Sequence, residues 1–180
     1  MRFATLGGLY QKPATVSKLY SGVKWSTQPV DIPTGALYVE ADPAWGGENV
    51  FMFVRISGTC TVGDLLYPTG ASIQYVENSQ TGVKPWGVSL VAPTASGDWT
   101  FMQVYGRNTT IQITNTFGDT DISASLFGGN GSACWNMSQY LTNLADNITN
   151  MSVHSATLFY VGRSFSDNTT SAVVGFIDLM

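Results

Sequence analysis

Short apolar runs separated by turn residues recur along most of the chain and predict β-strands. The pattern predicts strands at residues 35–41, 50–56, 65–67, 71–76, 86–92, 99–105, 156–163 and 172–179. The run at 50–56 is almost continuously apolar, which is typical of a strand that is covered on both faces. Pro43 and the Gly46-Gly47 pair, between the first two runs, suit a hairpin connection. Frequent short strands with turns roughly every 8–12 residues indicate an all-β sandwich or barrel.

One strand carries an aromatic pattern of its own. Trp99, Phe101 and Tyr105 have the same parity in the sequence. Because successive side chains of a strand point to opposite faces, this parity predicts three aromatic rings on one face, with Gln103 among them.

Two segments depart from the strand pattern. Residues 1–34 show little periodicity and contain three prolines, so they are predicted to form an extended N-terminal arm or edge segment before a single β domain at 35–180. Met137, Leu141, Leu144 and Ile148 are spaced by 4, 3 and 4 residues, which predicts one short helix near 137–148. Threonine and asparagine, which are frequent there, are poor interior helix residues.

Charged residues make up only 11% of the 180 residues, less than half of the share, about 25%, that is usual for a globular chain. Hydrophobic residues make up 44%, which is enough for an ordinary core. A surface so poor in charge gives little protection against association. Either the fold is very stable or much of its surface meets a partner, and we favour the partner.

The net charge of −4 is unevenly distributed. Four of the eight basic residues lie within residues 1–24, before the first acidic residue, Asp31. The remaining 156 residues therefore carry four basic and twelve acidic groups. A basic leader on an acidic body is typical of an arm that docks on a negative surface, although solvated lysines in an edge segment would give the same pattern. Four charges over 24 residues, with no aromatic-interleaved basic cluster, do not predict nucleic-acid binding.

The two cysteines, Cys60 and Cys134, have no CxxC spacing and no companion histidines. Each is predicted to be a small buried hydrophobic residue, and a disulfide between them stays open. The N-terminus lacks the pattern of a signal peptide, and no run approaches the roughly 18 apolar residues that span a bilayer. We therefore expect synthesis in a host cytoplasm and no membrane partner.

Asn-x-Ser/Thr triplets, the acceptor pattern for N-glycosylation, are frequent in the sequence. In a secreted chain they would predict a glycoprotein, but we favour chance in a chain rich in asparagine and threonine. The triplets begin at Asn108, Asn130, Asn136, Asn147, Asn150 and Asn168.

No catalytic constellation is evident. His154 is the one histidine, and neither a Gly-x-Ser-x-Gly elbow nor a phosphate-binding Gly-x-x-x-x-Gly-Lys occurs. Asp119 and Asp121 form a close acidic pair that could hold calcium, but the residues after them offer few further oxygen ligands, so we favour a turn. Asp64 and Asp98 each follow a glycine and are predicted to accept backbone N–H bonds in turns. The sequence thus predicts a protein that is not an enzyme and binds no cofactor or metal.

Several segments, taken in order, resemble small virion proteins of bacteriophages. Phe53-Val-Arg-Ile-Ser-Gly-Thr-Cys-Thr-Val-Gly-Asp-Leu-Leu is similar to a strand, Gly-Asp turn and strand in those proteins. Val83-Lys-Pro-Trp-Gly-Val-Ser-Leu-Val-Ala and Ser96-Gly-Asp-Trp-Thr-Phe-Met-Gln-Val-Tyr-Gly resemble their paired strands. Tyr160-Val-Gly-Arg-Ser and Val173-Val-Gly-Phe-Ile-Asp-Leu resemble their closing pair. The chain thus resembles the capsid decoration, or cement, proteins of tailed bacteriophages over about residues 35–107 and 156–180.

This resemblance implies a β-tulip or β-clip-like core on the outer surface of a phage capsid, commonly a homotrimer. It also implies an N-terminal segment that binds the major capsid protein and stabilises the shell. Residues 108–155 depart from the simplest members and are expected to form an outward-facing insert. The capsid-docking candidates are Arg2, Lys12, Lys18 and Lys24. Two alternatives stay open: another virion surface protein, such as a head-fibre base, tail protein or adhesin, or a carbohydrate-binding module whose exposed aromatics line a sugar groove.

Overall fold

The computed structural model describes 12 stretches of the chain, residues 24–30, 32–42, 44, 46–70, 75–78, 80, 82–91, 97–113, 125–128, 131–136, 159–165 and 172–180. Within them the chain forms strands and no helix, so the all-β prediction is confirmed. The same stretches contain no helix long and apolar enough to cross a membrane. The predicted helix near 137–148 lies outside the described residues, as do residues 1–23 of the predicted arm and most of the predicted insert at 108–155.

Eleven strands join in one sheet. Most of the predicted strands coincide with observed ones to within a few residues, and the predicted hairpin joins the second and third strands in antiparallel register. In chain order the strands are β1 (Lys24–Trp25), β2 (Leu37–Ala41), β3 (Glu48–Ile56), β4 (Leu65–Pro68), β5 (Tyr75–Glu77), β6 (Gly87–Ser89), β7 (Trp99–Gln112), β8 (Ser125–Gly128), β9 (Trp135–Asn136), β10 (Phe159–Ser164) and β11 (Ala172–Asp178).

Five strands form a closed ring of backbone pairings. β3 pairs in parallel with β5, and antiparallel pairings continue from β5 to β4, β6 and β7. β7 then returns to β3 along the register from Val50↔Tyr105 to Arg55↔Trp99. Closure removes free strand edges, so this part of the molecule is a small barrel.

Alternate side chains of the ring strands fill the barrel interior. β3 contributes residues to this cluster and to a second cluster on its outer face, so the prediction that this strand is covered on both faces is confirmed. The interior cluster consists of Val50, Val54, Ile56, Cys60, Leu66, Val76, Val91, Met102 and Val104.

A second β layer packs against the β4–β6 side of the barrel. The C-terminal half of β7 pairs with β11, and the layer continues through β10 and β8 to β9. Its inner face and the outer face of β4 and β6 bury a common apolar cluster. That cluster consists of Leu65, Tyr67, Val88, Ile111, Ile113, Leu126, Cys134, Val161, Ile177 and Leu179.

The segment that begins at Lys24 lies against a third, aromatic cluster on the outer face of β3 and β7. β1 pairs with the start of β7, with Trp25 opposite Trp99. The Trp25 ring meets Phe53 and Phe101 edge-on, with ring centroids 5.7 Å and 6.2 Å apart. Trp99 stacks on Phe53 at a centroid distance of 5.7 Å. The chain is therefore fixed to the barrel wall from Lys24 onwards.

The predicted aromatic face of β7 is wrong at one position. Trp99 and Phe101 lie in the aromatic cluster, but Tyr105 packs against the barrel interior and meets Phe176 edge-on at 4.9 Å. The cause is a β-bulge, because Phe51 pairs with Gln103 while Val50 pairs with Tyr105. An extra residue on one strand reverses the side-chain alternation beyond it.

The aromatic cluster predicts a large stability effect. Phe53→Ala removes the ring that Trp25, Trp99 and Phe101 contact, and we expect the free energy of unfolding to fall by about 3–5 kcal/mol. Val30→Ala, at a fully exposed side chain, is the control and should change it by less than about 0.5 kcal/mol. Urea denaturation measures both; equal, small losses would contradict a structural role for the cluster.

Candidate functional site

Of the predicted docking residues, the structure describes one. Lys24 is exposed on β1, and its Nζ lies 3.4 Å from Oδ2 of Asp98. The Lys24 side chain is 48% exposed and can be reached by a partner, whereas the Asp98 side chain is only 14% exposed and would lose its cationic neighbour if Lys24 moved away. Arg2, Lys12 and Lys18 lie outside the described residues.

The acidic turn residues behave differently from one another. Asp64 Oδ2 accepts the N–H of Thr61 at 2.8 Å and the side-chain amide of Asn78 at 2.9 Å, so its predicted turn role is confirmed. The carboxylate of Asp98 instead faces Lys24. The pair Asp119 and Asp121, and also His154, lie outside the described residues.

Both cysteines are buried free thiols, so the open question of a disulfide is answered against it. Cys60 lines the barrel interior, where its Sγ lies 3.3 Å from Oγ of Ser89. Cys134 lies in the cluster between the barrel and the second layer. Burial raises the pKa of the Cys134 thiol far above its ordinary value, which keeps it neutral and unreactive.

Metal ligands do not converge in the described part of the chain. No three residues among its histidines, cysteines, aspartates and glutamates are close enough together to hold an ion. Asn108, the first residue of a predicted glycosylation triplet, is only 3% exposed, and its side-chain amide is hydrogen-bonded inside the protein. A glycan at this asparagine would require it to leave the core.

A pocket of about 180 Å³ opens beside the β7 bulge. The loop that joins β2 to β3 forms one wall, and the middle of β7 forms the other. Ala44 and Thr109 are exposed, so the pocket opens to solvent, while Leu90 is buried and supplies an apolar surface. The lining residues are Asp42, Ala44, Asn49, Leu90, Gln103, Arg107, Asn108, Thr109 and Thr110.

Buried amides fix the pocket wall. The Gln103 side-chain amide donates to Asn49 Oδ1 at 3.2 Å and to the carbonyl oxygen of Arg107 at 2.8 Å. Gln103 Oε1 accepts from the Asn108 amide at 3.0 Å, and Asn108 Oδ1 in turn accepts the N–H of Thr110 at 2.8 Å. A network in which each member is held by the next is a rigid surface.

The carboxylate of Asp42 extends this network. Its Oδ2 accepts from the Asn49 side-chain amide at 3.3 Å, and its Oδ1 accepts the N–H of Ala44 at 2.8 Å. Asp42 is only 7% exposed. Because each carboxylate oxygen can accept two hydrogen bonds, both keep accepting capacity toward the pocket.

Glycine is required at the bulge. Gly106 has a φ of 103°, and a Cβ there would collide with the Asn49 side chain and with the Glu48 carbonyl oxygen. A side chain at this position would therefore push apart the two strands that frame the pocket.

Sequence reasoning found Gln103 only as a neighbour of aromatics and missed the network altogether. A signal does exist: Gln103 is the one polar residue in the run 101–105, which is otherwise apolar, and it occupies an aromatic-parity position. Asn49 and Asn108 carry no comparable signal, because asparagine next to a turn or a glycine is commonplace.

Comparisons with known proteins point to a likeness among solved structures. No protein-family model matches the chain, and no curated protein matches it. Among solved structures, the head fiber gp8.5 N base of bacteriophage phi29 is similar, with 16% identity over 72% of this chain and 94% of that one. The TM-score is 0.46, and at this value the likeness carries no argument about function.

The thiols allow a direct check. A colorimetric thiol reagent should find almost no reactive cysteine in the native protein and two after denaturation without a reductant, because both thiols are free and buried. A disulfide would instead give none in the denatured, unreduced protein.

The amide network should be costly to break. Gln103→Leu keeps a similar volume but removes the partners of Asn49, Asn108 and two backbone carbonyl groups, so we expect a loss of about 1–3 kcal/mol in unfolding free energy. The same substitution at exposed Gln28, whose amide donates a hydrogen bond to the Ile32 carbonyl oxygen, is the control and should cost less than Gln103→Leu. Equal losses of unfolding free energy for the two variants in urea denaturation would contradict a structural role for the amide network.

Proposed function

We propose that this chain is a non-enzymatic structural protein of a virion, and that it binds the outer surface of a phage capsid as a cement protein. The observation that supports the proposal best is the attachment of residues 24–25 to the barrel. Trp25 packs against Phe53 and Phe101, and Lys24 pairs with Asp98. Because residues 24–25 are fixed to the barrel, the basic leader before them can contact a neighbouring protein without disturbing the fold of the domain.

The uneven distribution of charge indicates which kind of partner the leader, residues 1–23, would bind. Residues 1–23 carry Arg2, Lys12 and Lys18 and no acid, while the other 157 residues carry five basic and twelve acidic groups, a net charge of −7. A leader of charge +3 is attracted to an acidic protein surface, which we take to be the major capsid protein.

The body of the domain favours protein contact as well. Asp42 and Asp64, two of its few charged residues, are buried within the fold, so the described surface carries still fewer charges than the composition indicates. A surface with little charge loses little on desolvation at an interface. Many weak copies on a lattice then reinforce one another, and an oligomer of the chain, a trimer in our proposal, adds to that multivalency.

The leader is tested by its deletion. A chain that lacks residues 2–23 keeps Lys24 and Trp25, so we expect unchanged unfolding free energy but at least a tenfold loss of binding to empty capsids of the phage that encodes it. Co-sedimentation and urea denaturation measure the two properties. Undiminished capsid binding would contradict the leader's role.

A charge-only variant separates electrostatics from chain length. Replacing Arg2, Lys12 and Lys18 by glutamine should weaken capsid binding and flatten its dependence on salt, because the ionic attraction is screened. Lys84→Gln removes an exposed lysine of the body and is the matched control, with binding expected to stay within twofold. Equal losses in the two variants would mean that the leader's charges have no special role.

Oligomeric state is tested by light scattering. The proposed trimer has three times the chain mass of 19.3 kDa. A monomeric mass at all concentrations would contradict the trimer while leaving the capsid-binding experiment to decide the rest.

A further inference from the structure

We infer that the pocket between the β2–β3 loop and the β7 bulge binds one neutral sugar residue, so that the protein is also a saccharide-binding module. The inference rests on the pocket's size, the charges of its lining and its ordered hydrogen-bonding groups. It does not depend on the proposed capsid role.

Size and access limit the ligand to a small molecule. The cavity measures about 180 Å³, below the roughly 300–1,000 Å³ of pockets that enclose drug-sized ligands. A single sugar residue suits this volume, whereas an oligosaccharide would extend out of the mouth between Ala44 and Thr109, which are exposed. A terminal residue of a longer glycan can therefore enter.

The charges of the lining favour a neutral, hydroxylated ligand. Asp42 and Arg107 are the two charged residues of the pocket, one of each sign. The two opposite charges offset each other, so neither a phosphate nor an ammonium group gains a net electrostatic attraction. A divalent cation would find one carboxylate, too few ligands for calcium or magnesium. Sugar hydroxyls both donate and accept, so they match a carboxylate acceptor, a guanidinium donor and threonine hydroxyls together.

The wall is arranged before the ligand arrives. Asn49, Gln103 and Asn108 are each no more than 5% exposed and hold one another through their side-chain amides. Asp42 is held by Ala44 and Asn49, which aims its remaining lone pairs. Groups that are already ordered lose little conformational entropy on binding, and this is the main gain available to a weak, small ligand.

Aromatic rings lie beside the polar groups. Arg107 pairs across the sheet with Phe176, and Phe176 meets the Tyr105 ring at 4.9 Å. Cross-strand partners lie on the same face of a sheet, so Phe176 lies next to the residue that lines the pocket. Neither ring lines the pocket, since Tyr105 packs against the barrel interior, so the apolar surface available to the C–H groups of a sugar is that of Leu90.

The test uses the full chain and a pair of matched arginine variants. Arg107 and Arg163 both pair with Phe176, from opposite sides, but only Arg107 lines the pocket. Saturation-transfer NMR would screen glucose, galactose, mannose, N-acetylglucosamine and rhamnose, each free and as its methyl glycoside. Glucuronic acid, glucosamine and glycine would serve as charged probes. A ligand this small should bind with a millimolar dissociation constant.

We expect at least one neutral sugar to bind, Arg107→Gln to weaken it tenfold or more, and Arg163→Gln to change it less than twofold. Binding of the methyl glycoside would identify the ligand as a glycan residue, and binding of the free form alone would identify a free sugar. Thr109→Val, at the exposed rim, gives a second variant that leaves the buried network intact. Three outcomes overturn the inference: no sugar binds at about 50 mM, a charged probe binds better than any neutral sugar, or the two arginine variants lose affinity for the sugar equally.

Discussion

The antiparallel pairing of β3 with β7 determines the rest of this structure. It closes the five-stranded ring, and its inward side chains fill the barrel. On the outer face, Phe53 of β3 and Phe101 of β7 lie 5.1 Å apart and form the surface that receives Trp25. Because one pairing serves the interior and the outer aromatic cluster together, a loss of register here would expose both.

The bulge in this pairing links the barrel to the pocket. Beyond it, β7 leaves β3 and continues as the first strand of the second layer, paired with β11. A regular strand would have kept Tyr105 beside Phe101; the inserted residue turns Tyr105 inward and toward Phe176. The change of direction also leaves room between β7 and the β2–β3 loop, and the amides of Asn49, Gln103 and Asn108 occupy the walls of that space.

Periodicity was enough to predict the strands, because each depends on a local alternation or an apolar run. The apolar run at residues 50–56 predicted a strand buried on both faces. Pro43 and two glycines predicted the hairpin before it. The pairing of β3 with β7 joins residues about fifty positions apart, so no local pattern encodes it. The same holds for the bulge, since Gly106 looks like any turn glycine until Asn49 is placed against it. The pocket depends on both the β3–β7 pairing and the bulge. The sequence therefore shows the residues of the pocket but does not predict that they lie together.

The buried side-chain amides of Asn49, Gln103 and Asn108 are an exception, because the three clusters of the core are apolar. Placing Gln103 among aromatic neighbours costs desolvation that only a complete set of partners can offset. An apolar residue of similar volume, with apolar replacements for Asn49 and Asn108, would give a core of comparable or greater stability. The network therefore does not follow from the need to fold. Departures from local folding rules concentrate where a surface must present polar groups in fixed positions. In this chain the buried amide network lies at the wall of a solvent-open pocket.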